Sequence, residues 1–145
     1  MTRIRALVEK LVEQYRTNDP FTLCSDLGIE ILTMQLPPSI RGFYVTLLHV
    51  PFIYLNQGLS GEQERRAVCA HELGHALLHQ EYNSLFLQKN TEFVTERYEK
   101  EANLFAGYLL LDGAFCKDCR CNGWTLEQIS RYVALPEEVV SHCIC

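Results

Sequence analysis

His71 and His75 stand four residues apart, with Glu72 directly after the first, in the run His71-Glu72-Leu73-Gly74-His75. On a helix this spacing puts both imidazoles on one face, about one turn apart, where they can share a single zinc ion. Glu72 does not point the same way, but its carboxylate can reach a water held by such an ion. There it can take a proton from the water and later give it to a leaving amine. The helix that this chemistry needs is expected from about Gly61 to His79. Ser60 with Gln63 three positions later forms a capping-box pattern, and Ala67, Val68, Leu77 and Leu78 supply apolar residues along the helix.

A catalytic zinc ordinarily takes three protein ligands and keeps a fourth position open. A longer motif with a glycine three residues and a histidine six residues after His75 is absent, because Leu78 and Glu81 occupy those places. His79 continues the histidine stripe but lies about 12 Å along the helix axis from His71, too far to close on the same ion. It reads instead as a charge partner for the helix C-terminus. The next long helix, expected over Phe93 to Leu111, offers better donors. Glu99 and Asn103 share one of its faces, and Ala102 and Ala106 beside them permit close packing. Glu99 is the candidate third ligand, and Asn103 is placed to brace a histidine. Glu101 points roughly 160° away from both and is the alternative third ligand. Tyr98, Tyr108, Tyr82 and His49 could donate to a developing oxyanion by type, and the sequence does not choose among them.

The elements that must position these groups read as an α+β domain. Ile4, Leu7, Val8, Leu11, Val12 and Tyr15 follow helical spacing, which Asn18-Asp19-Pro20 stops. A short helix over Phe21 to Leu27 is closed by Gly28. Ile29 to Met34, Gly42 to Leu47 and Phe52 to Leu55 read as three strands of a small antiparallel sheet. After the second long helix, Asp112-Gly113 is a stop and Cys116 to Gly123 a cysteine-rich loop. A helix capped by Thr125 and a short one beginning at Pro136 finish the chain.

Composition narrows the function classes. The chain has 145 residues, 48% hydrophobic and 21% charged, which suits one globular domain spanning residues 1–145 with a cysteine-rich segment over 112–145. The formal charge is -5 and no block of five basic residues occurs, so direct nucleic-acid binding is not expected. The longest apolar run, Leu104 to Leu111, is eight residues, short of the roughly 20 a membrane span needs. The charged N-terminus does not read as a signal peptide, and a cytoplasmic, reducing location is expected. Seven cysteines then read as thiols or metal ligands. Cys116, Cys119, Cys121, Cys143 and Cys145 could build a structural metal site, a redox-sensitive pair, or neither. Cys24 and Cys69 read as small buried hydrophobes.

The chain resembles the ImmA/IrrE family of small bacterial metallopeptidases. The resemblance rests on His71 to His79, on Glu99 to Ala106, on Gly42-Phe43-Tyr44, on Ile53 to Asn56, and on Leu109-Leu110-Leu111. It covers roughly Asp19 to Pro136. The second motif runs into Leu-Leu-Asp where many relatives carry a proline. The resemblance implies a zincin-like core, zinc at His71, His75 and Glu99, and Glu72 as general base. It further implies a protein substrate: a helix-turn-helix repressor of a prophage or integrative element, which the enzyme would cleave as an anti-repressor. The rival expectation is a metal-binding regulator that acts by partner binding without proteolysis. Glu72 separates the two, because hydrolysis needs it and zinc binding does not.

Overall fold

The computed structural model describes residues 2–79 and 92–144. Among them are seven helices and one three-stranded sheet, an α+β arrangement. Helix α1 (Thr2–Tyr15) buries Ile4, Val8 and Leu11, the stripe that its spacing predicts. Helix α2 (Pro20–Asp26) begins where a stop was expected. Asp19 is its N-cap, accepting from the Thr22 N–H, and Pro20 fills the first turn, where a missing N–H is harmless. Gly28 follows the C-cap at φ +77°, a conformation glycine adopts without strain.

Strands β1 (Glu30–Met34), β2 (Gly42–Leu47) and β3 (Val50–Asn56) lie in the order β1-β3-β2. β2 and β3 form an antiparallel hairpin, but β1 runs parallel to β3, so the sheet is mixed rather than antiparallel. Residues alternate between faces in both kinds of pairing, so strand composition carries no direction. Direction is set by the segment from Gln35 to Arg41, which carries the chain past β3. The Asn56 side-chain amide holds that segment by donating to the carbonyls of Leu36, Pro37 and Ile40.

Helix α3 (Gly61–Leu78) packs against β2 and β3 on one side and against helix α4 (Glu92–Leu110) on the other. The expected Ser60–Gln63 box is replaced by Glu64. Its carboxylate accepts from the Ser60 N–H at 2.6 Å and the Ser60 hydroxyl at 3.0 Å. Gly74 lets α3 and α4 approach closely: a Cβ there would lie 3.1 Å from Phe105 Cβ and 3.2 Å from Ala102 Cα. Any larger residue at Gly74 would push apart the two helices that carry the candidate ligands.

The expected cysteine-rich loop is helix α5 (Gly113–Cys121). Asp112 is its N-cap rather than a simple stop, accepting from the Phe115 N–H at 2.8 Å. Helix α6 (Leu126–Val133) carries the reciprocal Thr125–Gln128 capping box, and Pro136 caps helix α7 (Glu137–Cys143). α7 lies on α4 at Gly107, where a Cβ would come within 2.6 Å of Cys143 Sγ. One connected apolar cluster runs from Ile4 through Leu23, Ile53, Leu73 and Phe105 to Val140. No described helix is long and apolar enough to cross a membrane.

Candidate metal centre

Two facing helices build the site. α3 presents His71, Glu72 and His75, and α4 presents Glu99 and Asn103. His71 Nε2 lies 2.8 Å from Glu99 Oε2, and His75 Nε2 lies 3.1 Å from Glu99 Oε1. The two imidazoles stand at 90° to each other with centroids 4.8 Å apart. Both Nε2 atoms and one carboxylate thus converge on a single point. Asn103 Oδ1 lies 2.8 Å from His71 Nδ1 and is placed to accept its proton, the tautomer in which Nε2 offers its lone pair to a metal at that point. Nitrogen lone pairs and a carboxylate so close together repel unless a proton or a cation lies among them. The donor set therefore fits a divalent metal.

The electrostatics agree. Burial opposes a charge on His71, but the Glu99 hydrogen bond and the negative charge of Glu72 raise its pKa overall. Burial lowers the pKa of His75. Burial works against ionised Glu99, yet hydrogen bonds from both histidines hold it far below the ordinary carboxylate range. Glu72 behaves in the opposite way. Burial pushes it up to about 7, with the His71 charge and a main-chain hydrogen bond from Tyr44 pulling back and the Glu99 charge adding to the rise. Glu72 is 6% exposed, and its Oε1 has no hydrogen-bond partner among the described residues. Donor atoms of His71, Glu72 and His75 all lie within 4.8 Å of one another. Glu72 thus stands beside the convergence point, its Oε2 4.0 Å from His71 Nε2.

Glu101 is not at this point. Its Oε1 is 2.7 Å from His79 Nε2, and its Oε2 is 3.1 Å from Arg3. His79 is itself buried, with Nδ1 3.1 Å from His75 Nδ1, so it contacts a candidate ligand rather than only the helix end. The sequence reading of His79 as a charge partner for the helix end, and not as a ligand, missed its contact with His75. Its spacing of four residues from His75 was the available signal.

Among the described residues, none of the expected oxyanion donors lines the cleft at the centre. The Tyr98 ring stacks on His79 at 4.0 Å. Tyr108 lines a separate groove beside α1, His49 sits exposed at the β2–β3 turn, and Tyr82 lies outside the described residues. The cleft, about 300 Å³, is walled by Ser39, Arg41 and Gly42 ahead of and at the start of β2 and by Ala134 to Pro136 between α6 and α7. Motif spacing could not reveal these walls, because they come from distant parts of the chain. Among the cysteines, Cys24 and Cys69 are fully buried with sulfurs 3.9 Å apart. Cys116, Cys119 and Cys121 lie on α5 and Cys143 on α7, and the described cysteines form no group able to share an ion. Cys145 lies outside the described residues.

A small sheet, a histidine-bearing helix across it and a carboxylate from the next long helix define a zincin-like metallopeptidase architecture. The sequence profile of the IrrE N-terminal-like domain, peptidase family M78, matches residues 24–144, and the chain belongs to that family. It is 36% identical over 138 residues to "Uncharacterized immunity region protein 2" of Bacillus phage phi105, covering 95% of this chain and 87% of that protein. It is 26% identical over 144 residues to "Metallopeptidase ImmA" of Bacillus subtilis (strain 168), covering 96% of this chain and 82% of that protein.

Proposed function

We propose that this chain is a zinc-dependent endopeptidase of the cytoplasm, with His71, His75 and Glu99 holding the ion and Glu72 as general base. The observation that carries this reading is the convergence of two Nε2 atoms and the Glu99 carboxylate beside the buried Glu72 carboxylate, whose Oε2 lies 4.0 Å from His71 Nε2. Zinc, when bound, supplies polarisation of the scissile carbonyl and of the attacking water.

The chain's own groups do the rest. The Glu72 carboxylate takes one proton from the water whose oxygen attacks the carbonyl carbon. As the C–N bond breaks, that proton passes to the departing amine nitrogen. Asn103 fixes the His71 tautomer. The Tyr44 main chain steadies Glu72, which means that the edge of β2 away from β3 faces the centre at this residue. An extended stretch of substrate can add to that edge and pass its scissile bond over the cleft. Ser39 and Arg41 at the wall can donate to the substrate's carbonyls.

The substrate we assign is a protein, a helix-turn-helix repressor of the prophage or integrative element to which the chain belongs, which makes the chain an anti-repressor. The names of its relatives, an immunity region protein of a phage and a metallopeptidase, support this choice. The net charge of -5 supports action on the protein rather than on its DNA. The Glu72 carboxylate beside the centre favours an enzyme over a regulator that merely binds metal. The test is to mix the zinc-loaded chain with a candidate helix-turn-helix repressor of the same element and to follow cleavage by mass spectrometry. Wild type should cut at a defined bond and Glu72→Gln should not. Equal cutting by Glu72→Gln would remove the general-base assignment.

A further inference from the structure

We infer that His79 is a positioning residue for the metal centre, the middle member of a directional hydrogen-bond relay His75–His79–Glu101–Arg3 that fixes the tautomer and ring orientation of His75. This inference rests on the proposed metal reading of His71 and His75.

The proton directions follow from valence alone. To offer a lone pair at Nε2, neutral His75 must carry its proton on Nδ1. That Nδ1–H lies 3.1 Å from His79 Nδ1, which must therefore be the acceptor. His79 then carries its proton on Nε2, and Nε2 lies 2.7 Å from Glu101 Oε1, a carboxylate that can only accept when ionised. Glu101 Oε2 in turn accepts from Arg3 at 3.1 Å. Each link has one consistent direction, and all of them leave the His75 Nε2 lone pair for a metal held between His75 and Glu99. Reversing any inner link would put a proton on His75 Nε2 and remove it as a donor to metal.

The relay is also held in place. His79 is 7% exposed, its N–H closes on the His75 carbonyl at 2.9 Å, and the Tyr98 ring lies on its face. The sequence puts His79 four residues after His75 so that one helix face carries both. Its last two members come from other elements, Glu101 from α4 and Arg3 from α1. Arg3 lies ahead of the segment that the family profile matches, so α1 contributes to a centre built by the rest of the chain. Arg3 is largely exposed and adds the least. Partners of this kind typically change metal affinity by 10- to 100-fold when removed.

The test uses the full chain and zinc itself. His79→Phe keeps a flat ring for Tyr98 to stack on and removes both nitrogens. His79→Gln keeps one acceptor and one donor. Zinc affinity is measured by competition with a chromophoric chelator for wild type, both variants and a His71→Ala control. Histidine tautomers in the zinc-loaded wild type are read by long-range ¹⁵N NMR. His79→Phe should fold and bind zinc about 10- to 100-fold more weakly, with His79→Gln between it and wild type. In wild type, His75 should carry its proton on Nδ1 and His79 on Nε2. A folded His79→Phe that binds zinc as tightly as wild type, or a His79 protonated on Nδ1 alone, overturns the relay and leaves the metal centre standing. Wild-type zinc binding that persists in His71→Ala instead overturns the centre, and the relay with it.

Discussion

Replacing Glu72 by glutamine in the zinc-free protein separates the electrostatics of the centre from its chemistry. Glu72 is buried with an unpartnered oxygen, and burial moves its pKa from an ordinary 4.5 to about 7. The folded-state pKa is raised, so the folded chain holds this proton more tightly than the unfolded chain does. The stability it contributes is complete below pH 4.5 and is lost as pH rises through about 7. At 1.36 kcal/mol per unit, the loss is about 1 kcal/mol at pH 5 and about 3 kcal/mol at pH 8. Glutamine does not titrate. The stability of Glu72→Gln relative to wild type should therefore rise by roughly 2 to 3 kcal/mol between pH 5 and pH 8. Glutamine brings its own hydrogen-bonding needs to the site, which shift the variant by a similar amount at both pH values and do not affect this slope. The assay is urea unfolding of both proteins after metal removal, at each pH. A stability difference that is the same at pH 5 and pH 8 would refute the reasoning, because it would mean that Glu72 titrates as a hydrated carboxylate.

Two further perturbations probe the scaffold and the ligand set. Glu99→Ala should weaken zinc binding far more than Glu101→Ala, whose effect should stay near 10-fold because Glu101 acts through His79; competition titration gives the ranking, and the reverse order would mean that the wrong carboxylate was chosen. Gly42→Ala should destabilise the fold by about 1 to 3 kcal/mol, because a Cβ there would sit 2.7 Å from the Tyr54 carbonyl oxygen and 2.8 Å from Val68 Cγ1; an unchanged melting temperature would show that β2 can shift at no cost.

The parts of the molecule that were legible in the sequence are those written in local periodicity. The His71–His75 and Glu99–Asn103 spacings identify faces of two helices, and packing those helices together through Gly74 and Ala102 is enough to make the faces meet. The strands were legible from their β-branched and aromatic residues, but the parallel β1–β3 pairing was not. It depends on the path of the segment from Gln35 to Arg41, and on Asn56 holding it, which no strand pattern encodes. Asp19 and Asp112 were read as ends of helices and are also beginnings, since an aspartate in a connection can do either. Glu64 rather than Gln63 closes on Ser60, because an ionised carboxylate within reach is the stronger acceptor for that N–H. His79 was excluded as a ligand on distance along the helix axis. The same geometry put it one turn from His75, a contact that matters only once Glu101 is seen on the far side.

The most direct test of the account is the zinc content of protein purified under reducing conditions, measured for wild type and for His71→Ala. About one zinc per wild-type chain, lost in His71→Ala, is the predicted result. Zinc retained at wild-type level in His71→Ala would contradict the centre described here and place the metal elsewhere in the chain.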